Sequence, residues 1–223
     1  MSEKPPDAVK NLPRSMTANP LDAIKIFTRT EIAAVIGDLK RKRRSVNSRQ
    51  NLVLYRLSAC CGLRVSEAVG LNVSNLKVGS GRPYIEIPAR IAKRKKPRRV
   101  PLWWDGATLA DLQLWKAERE RQGAGPSDPF VCAQAKGTRG KRLSARNAQA
   151  RFKKCLKPLG PERVAVLSIH SGRHSYCSHA LAGGRTLAEV RDAAGHANIS
   201  TTSIYLHVVH DDDDAVGSLF DFQ

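Results

Sequence analysis

Residues 168–205 read SIHSGRHSYCSHALAGGRTLAEVRDAAGHANISTTSIY. Ser168 is placed to cap a helix that runs to about Ala182. Thr186 and Glu189 make a capping box, in which hydroxyl and carboxylate each satisfy an orphan amide of the first turn. The helix they open ends at Gly195, and Ser200 or Thr201 begins a further helix bearing Tyr205. Short helices in succession therefore carry His170, Arg173, His196 and Tyr205.

The same signals organise the rest of the chain. Thr28 and Glu31 form another capping box, followed by Ile32, Val35, Ile36 and Leu39 at i, i+3, i+4 and i+7. That helix starts near residue 29 and runs into Lys40-Arg41-Lys42-Arg43-Arg44. A second helix covers roughly Arg49 to Cys61 and stops at Gly62, and a short one follows at Ser66 to Gly70. Tyr84–Ile87 alternates as a strand, with Arg98–Leu102 as its partner across a basic turn. Residues 107–122 read as a helix with Leu109, Leu112 and Trp115 on one side, and Ser144 caps another carrying Ala148, Phe152 and Cys155. The expected fold is mainly α with a small antiparallel β-sheet, an α+β arrangement without internal repeats. Residues 1–27, rich in Pro, Asn and charge, read as an extended or mobile arm, and 211–223 as a tail.

Charge sets the class of partner. Thirty-eight Lys and Arg against 20 Asp and Glu give a net charge of +18, a field that attracts polyanions. Nucleic acid fits best, although an anionic membrane surface or a structural RNA would satisfy charge alone. No apolar run approaches the ~18–20 residues that span a bilayer, and the N-terminus lacks the apolar centre of a secretory signal. The five cysteines form no CxxC pair, which suggests reduced thiols in the cytoplasm. His170, His174, Cys177 and His179 lie close together but lack a second ligand pair at zinc spacing, so no metal is expected. From Pro129 to Pro161 there is no acidic residue and there are nine basic ones. One-sided charge over that length reads as contact with a phosphate backbone. The candidate DNA-binding residues are Arg41, Arg43, Arg44, Arg94, Lys95, Lys96, Arg139, Lys141, Arg142 and Arg146.

Four local signals occur in one order: Cys61-Gly-Leu-Arg64-Val-Ser-Glu67; Lys93 in a basic turn before Val100-Pro101; His170-Ser-Gly-Arg173-His174; and Gly195-His196 with Tyr205 beyond. Each alone is weak, because HxxR arises by chance. As an ordered set they resemble the tyrosine recombinase family of phage integrases and Xer-like proteins, over roughly residues 28–210.

The chemistry explains the residue types. In-line attack on a phosphodiester builds negative charge on the non-bridging oxygens, which two guanidinium forks hold in a geometry that lysine cannot match. Arg64 and Arg173 suit that clamp, and His196 offers a further donor. Tyr205 suits the nucleophile, because a phenolate is a competent leaving group in the reverse step and rejoining needs no ATP. His170 is the candidate base or shuttle, since imidazole exchanges protons near neutral pH.

The resemblance implies more. It makes Lys93, eight residues before Pro101, the match to the family's general-acid lysine, with Lys95 and Lys96 as substitutes. It also implies double-stranded DNA as partner, a homotetramer in the synapse formed from free monomers, no cofactor, and a place on the nucleoid of a bacterial cell. Glu67 is expected to orient neighbouring groups, and His174 to pack without a catalytic part. Relatives carry an N-terminal helical domain and a tail that docks on the next protomer; here the chain reads as a minimal member or a fragment, with Leu219, Phe220 and Phe222 as apolar anchors. Gly172 stands where relatives commonly have Leu. Two rivals remain open, a DNA-binding module that does not cut and a type IB topoisomerase.

Overall fold

The structure, a computed structural model, describes residues 25–206; the tail and its apolar anchors lie outside the described residues. Helix α1 (Arg29–Arg41) leads into α2 (Val46–Ala59) and the short α3 (Val65–Gly70). Strands β1 (Leu76–Lys77), β2 (Tyr84–Ile87) and β3 (Arg98–Pro101) follow, then α4 (Gly106–Arg121) and α5 (Ala145–Cys155). The chain continues through α6 (Gly160–Val166), α7 (Ile169–Ala182), α8 (Leu187–Ala194) and α9 (Ser200–Ser203). The sheet is antiparallel in the order β1-β2-β3, with Glu86 opposite Arg99 and Ile87 opposite Arg98. The α+β reading therefore holds, while β1 and α6 were not foreseen.

Helix α2 is the axis of the core. Its residues from Leu52 to Ala59 are all buried, so it has no polar face and must be wrapped on every side. Tyr55 stacks on Phe152 of α5 with centroids 5.4 Å apart, and Phe27 closes the cluster edge-on to both rings. Arg56, 1% exposed, is tolerated because Asp111 (2.8 Å), Asp105 (3.6 Å) and Thr108 (3.0 Å) surround its guanidinium.

Phe27 and Ile26 correct the expected boundary of the arm. Both are buried, the Phe27 amide donates to Ser175 Oγ (2.8 Å), and its carbonyl meets His179 Nε2 (2.7 Å). The end of the arm is thus part of the core, and His179 serves to fasten it. The five cysteines are all buried free thiols, as small apolar side chains would be.

A close helix crossing sets the position of the site. Helix α7 lies on α2 where Gly172 meets Ser58; a Cβ on Gly172 would stand 2.4 Å from Ser58 Oγ and 3.1 Å from the Ala59 nitrogen. Ser58 cannot simply turn away, because its hydroxyl donates to the Ile169 carbonyl at 2.7 Å. Gly172 therefore trades helix propensity for proximity. Alanine is the better helix former by ~1 kcal/mol, yet Gly172→Ala should destabilise the fold by about 1–3 kcal/mol through overpacking. A denaturation midpoint equal to or above that of the wild type would show that the two helices part freely.

Candidate active site

The site is built around the last turn of α8. A helix ends with carbonyls that have no partner of their own and with the negative pole of its dipole. Here three consecutive carbonyls each receive an arginine: Ala193 accepts from Arg98 Nε (2.9 Å), Ala194 from Arg173 Nη2 (2.6 Å) and Gly195 from Arg64 Nη2 (3.4 Å). Gly195 takes a left-handed conformation, φ 68°, to end the helix, and a Cβ there would press on Arg98 Cδ at 2.8 Å. Only glycine meets both demands.

Glu67 holds the other side of this cluster. It is fully buried at the first turn of α3, and its carboxylate accepts both terminal nitrogens of Arg98 at 2.8 Å, Arg64 Nη1 at 3.0 Å and the Arg64 amide at 2.9 Å. Burial alone would raise its pKa, but the hydrogen bonds and charge of Arg98, followed by those of Arg64, hold it below the usual carboxylate range. The expected orienting part for Glu67 thus takes a definite form: one buried anion fixes two guanidinium groups.

Arg173 sits deeper. It is 7% exposed and donates to the carbonyls of Gly62 (2.6 Å) and Ala194 (2.6 Å). Gly62, the stop glycine of the second helix, has φ 64° and lies too near the Tyr176 ring for any side chain. Burial and then the charge of Arg64 lower the Arg173 pKa to about 10, so it remains cationic at neutral pH.

His196 follows Gly195 and presents its ring to the same space. Its pKa is pushed down to about 4, first by burial and then by Arg173, Arg64 and Arg98, so it is a neutral imidazole at pH 7. The unfolded residue titrates near ~6.5. As the pH falls from there towards 4, the unfolded chain binds a proton that the folded chain refuses. The contribution of His196 to stability is therefore whole above ~6.5 and is lost as the pH falls through that window. An NMR titration of the free protein should place His196 near 4; a midpoint near that of a free imidazole would mean that the site is wetter than its geometry implies.

Tyr205, just beyond α9, is 7% exposed and lies within this group. Its ring stacks on His196 with centroids 6.4 Å apart, and His196 Nδ1 meets Thr202 Oγ1 at 2.9 Å. The Tyr205 hydroxyl meets His174 Nδ1 at 2.5 Å. Arg64, Arg173, His196 and Tyr205 are therefore brought together. His170 shares a face of α7 with Arg173 and His174, at i, i+3 and i+4, and is exposed at the near end of that helix.

Lys93 is placed less tightly. It opens a short 3₁₀ turn, Lys93–Lys95, in the exposed connection between β2 and β3. Arg94 (φ 63°) and Lys95 (φ 55°) both hold left-handed backbone, which costs non-glycine residues on the order of 1–3 kcal/mol each. Arg98 ties one end of this connection to Glu67.

Sequence reasoning missed Arg98, which it counted among the basic crowd. The alternation of β3 held the signal, because Arg98 and Val100 share a face and Val100 is buried. It also gave His174 to packing. All ten basic residues expected on a DNA surface are exposed: Arg41, Arg43, Arg44, Arg94, Lys95, Lys96, Arg139, Lys141, Arg142 and Arg146. Arg142 is also held by the framework, with Nη1 on the Val69 (2.7 Å) and Leu71 (3.1 Å) carbonyls and Nη2 on Asn72 (2.6 Å). Among the described residues no group of three or more His, Cys, Asp or Glu is placed to hold a metal ion, and no helix is long and apolar enough to cross a membrane.

A largely buried arginine cluster beside a phenol, in a chain of net charge +18, is chemically suited to hold an anion. The profile of the phage integrase family matches residues 25–211, and the chain belongs to that family. Among relatives, the tyrosine recombinase XerC of Yersinia pestis is 36% identical over 147 residues, 66% of this chain and 44% of the relative. That of Stutzerimonas stutzeri (strain A1501) is 34% identical over 163 residues, 72% of this chain and 49% of the relative. The chain thus spans about half the length of the curated relatives it matches. The fold is that of XerA recombinase (TM-score 0.66, 18% identity, 83% of this chain and 61% of that one). XerH site-specific recombinase bound to palindromic difH substrate in a post-cleavage complex shares it too (TM-score 0.63, 21% identity, 82% and 49%).

Proposed function

We propose that this chain cuts and rejoins double-stranded DNA at specific sites, through a covalent 3′-phosphotyrosine on Tyr205. The observation that carries the reading is the convergence of two arginine forks on the last turn of α8, with the Tyr205 ring stacked on His196 just beyond it. Arg64 and Arg173 would hold the non-bridging oxygens of one phosphate, already oriented by Glu67 and by backbone carbonyls. Preorganised donors of this kind are worth ~3–4 kcal/mol each in the transition state. His196, neutral and with Nδ1 on the Thr202 hydroxyl, would donate from Nε2 in the tautomer that accepts from Thr202. His170 would lie near the same phosphate, and Lys93 would protonate the departing 5′ oxygen from the β2–β3 connection. The family relationship and the XerC relatives support this reading, and the charge of +18 supports a DNA partner. Neither metal nor nucleotide enters the scheme. Four protomers on two sites would exchange strands in pairs, on the nucleoid.

The test is covalent capture. A library of nicked duplexes with randomised cores, from which a cleaved fragment diffuses away, should yield an SDS-resistant adduct with the wild-type protein and none with Tyr205→Phe. An adduct that survives the Phe substitution would move the nucleophile elsewhere; DNA binding without any adduct would favour a module that does not cut. Relaxation of site-free supercoiled plasmid would favour a topoisomerase. Lys93→Ala should lose cleavage and regain it on a 5′-bridging phosphorothiolate, whose sulfur leaves unprotonated.

A further inference from the structure

The hydroxyl of Tyr205 meets His174 Nδ1 at 2.5 Å, the rings tilted by 40° with centroids 5.6 Å apart. His174 is half-buried and follows Arg173 on α7, so the helix that carries one arm of the phosphate clamp also carries the ring on the nucleophile. His170 lies one turn earlier, exposed to solvent. A base must stand within hydrogen-bond reach of the proton that it takes, and His174 already does.

We infer that His174 is a catalytic residue, the side chain that receives the phenolic proton of Tyr205 during cleavage and returns it during rejoining. The inference rests on the recombinase reading above and sharpens it. In cleavage, Tyr205 Oη bonds to phosphorus while its proton passes to His174 Nδ1. The bond from phosphorus to the 5′ oxygen breaks, and that oxygen takes a separate proton from the acid assigned to Lys93. Rejoining reverses each transfer, so atoms and charges balance over the cycle. The scheme requires the Nε2–H tautomer of His174, in which Nδ1 is the acceptor. Charged and titratable groups surround the pair: Arg173 and His170 on the same helix, and His196 across the Tyr205 ring, with Arg64 and Arg98 behind it.

The experiment uses the full chain and a duplex recovered by covalent capture, in single turnover. His174→Ala should bind this duplex as the wild type does and cleave it on the order of 10²–10⁴-fold more slowly. The deficit should shrink as the pH rises towards phenol ionisation at ~10, and added imidazole should restore part of the rate. His174→Gln keeps a hydrogen-bond acceptor but cannot carry the proton, so it should remain slow; a Gln variant at wild-type speed would reduce His174 to positioning. A deficit equal at every pH and deaf to imidazole would overturn the inference, as would wild-type rates in both variants. If His174→Ala does not fold, 15N chemical shifts of His174 in the wild-type protein decide the matter. Nδ1 must appear as an unprotonated acceptor at neutral pH, and a protonated Nδ1 would sink the assignment. Failure of the wild-type protein to form any adduct would instead end the recombinase reading, and this inference with it.

Discussion

Glu67→Gln is expected to destabilise the protein by about 3–5 kcal/mol, the cost of removing one partner from a buried ion pair. It is also expected to slow strand cleavage on the order of 10²-fold, equivalent to the loss of about one fixed oxyanion donor. Glutamine fills the same volume but carries no charge and offers one acceptor oxygen in place of two. Arg98 would lose one bond of its fork, and the guanidinium groups of Arg98 and Arg64 would face each other with no anion between them. Arg98 is 8% exposed at its side chain, so water cannot replace the carboxylate. Denaturant unfolding checks the first effect through a lower midpoint at unchanged slope, and single-turnover capture checks the second. A variant as stable as the wild type would show that α8 alone organises the arginines.

Arg173→Lys should reduce adduct formation by ~10²–10³-fold, the scale of a lost oxyanion donor, while DNA affinity stays within a few fold. The charge survives, so the loss measures geometry. A guanidinium reaches the Gly62 and Ala194 carbonyls with two nitrogens and still presents a flat edge to a phosphate. An ammonium on a flexible stem cannot hold all three directions, and a buried carbonyl left bare costs about 1–3 kcal/mol. Affinity should change little because most of it comes from the many exposed cations elsewhere, and it should fall steeply with salt in both proteins. A lysine variant that cleaves within tenfold of the wild type would mean that charge alone suffices at this position.

The sequence was most legible where its signals are local. Capping boxes at Thr28/Glu31 and Thr186/Glu189 mark helix starts because each closes within four residues, and both are present in the structure. Gly62 and Gly195 mark helix ends for the same reason. Strand β1 escaped because two residues show no alternation, and α6 because it follows a Gly-Pro pair that reads as a break. The parts played by Arg98, His174 and Gly172 were hidden for a deeper reason. Each depends on a partner distant in the chain, Glu67, Tyr205 and Ser58 respectively, and no window of sequence contains both. Gly172 looked like a weakness of its helix and proves to be the reason that helix can sit where it does. His179 shows the converse, a histidine beside reactive neighbours that fastens Phe27.

The turn Ala193–Gly195 accepts from three guanidiniums, and only nine residues separate it from Tyr205. On the proposed chemistry, a displacement of this turn would disturb the phosphate clamp and the attacking oxygen together, and a half-assembled complex would be left with neither tool in place.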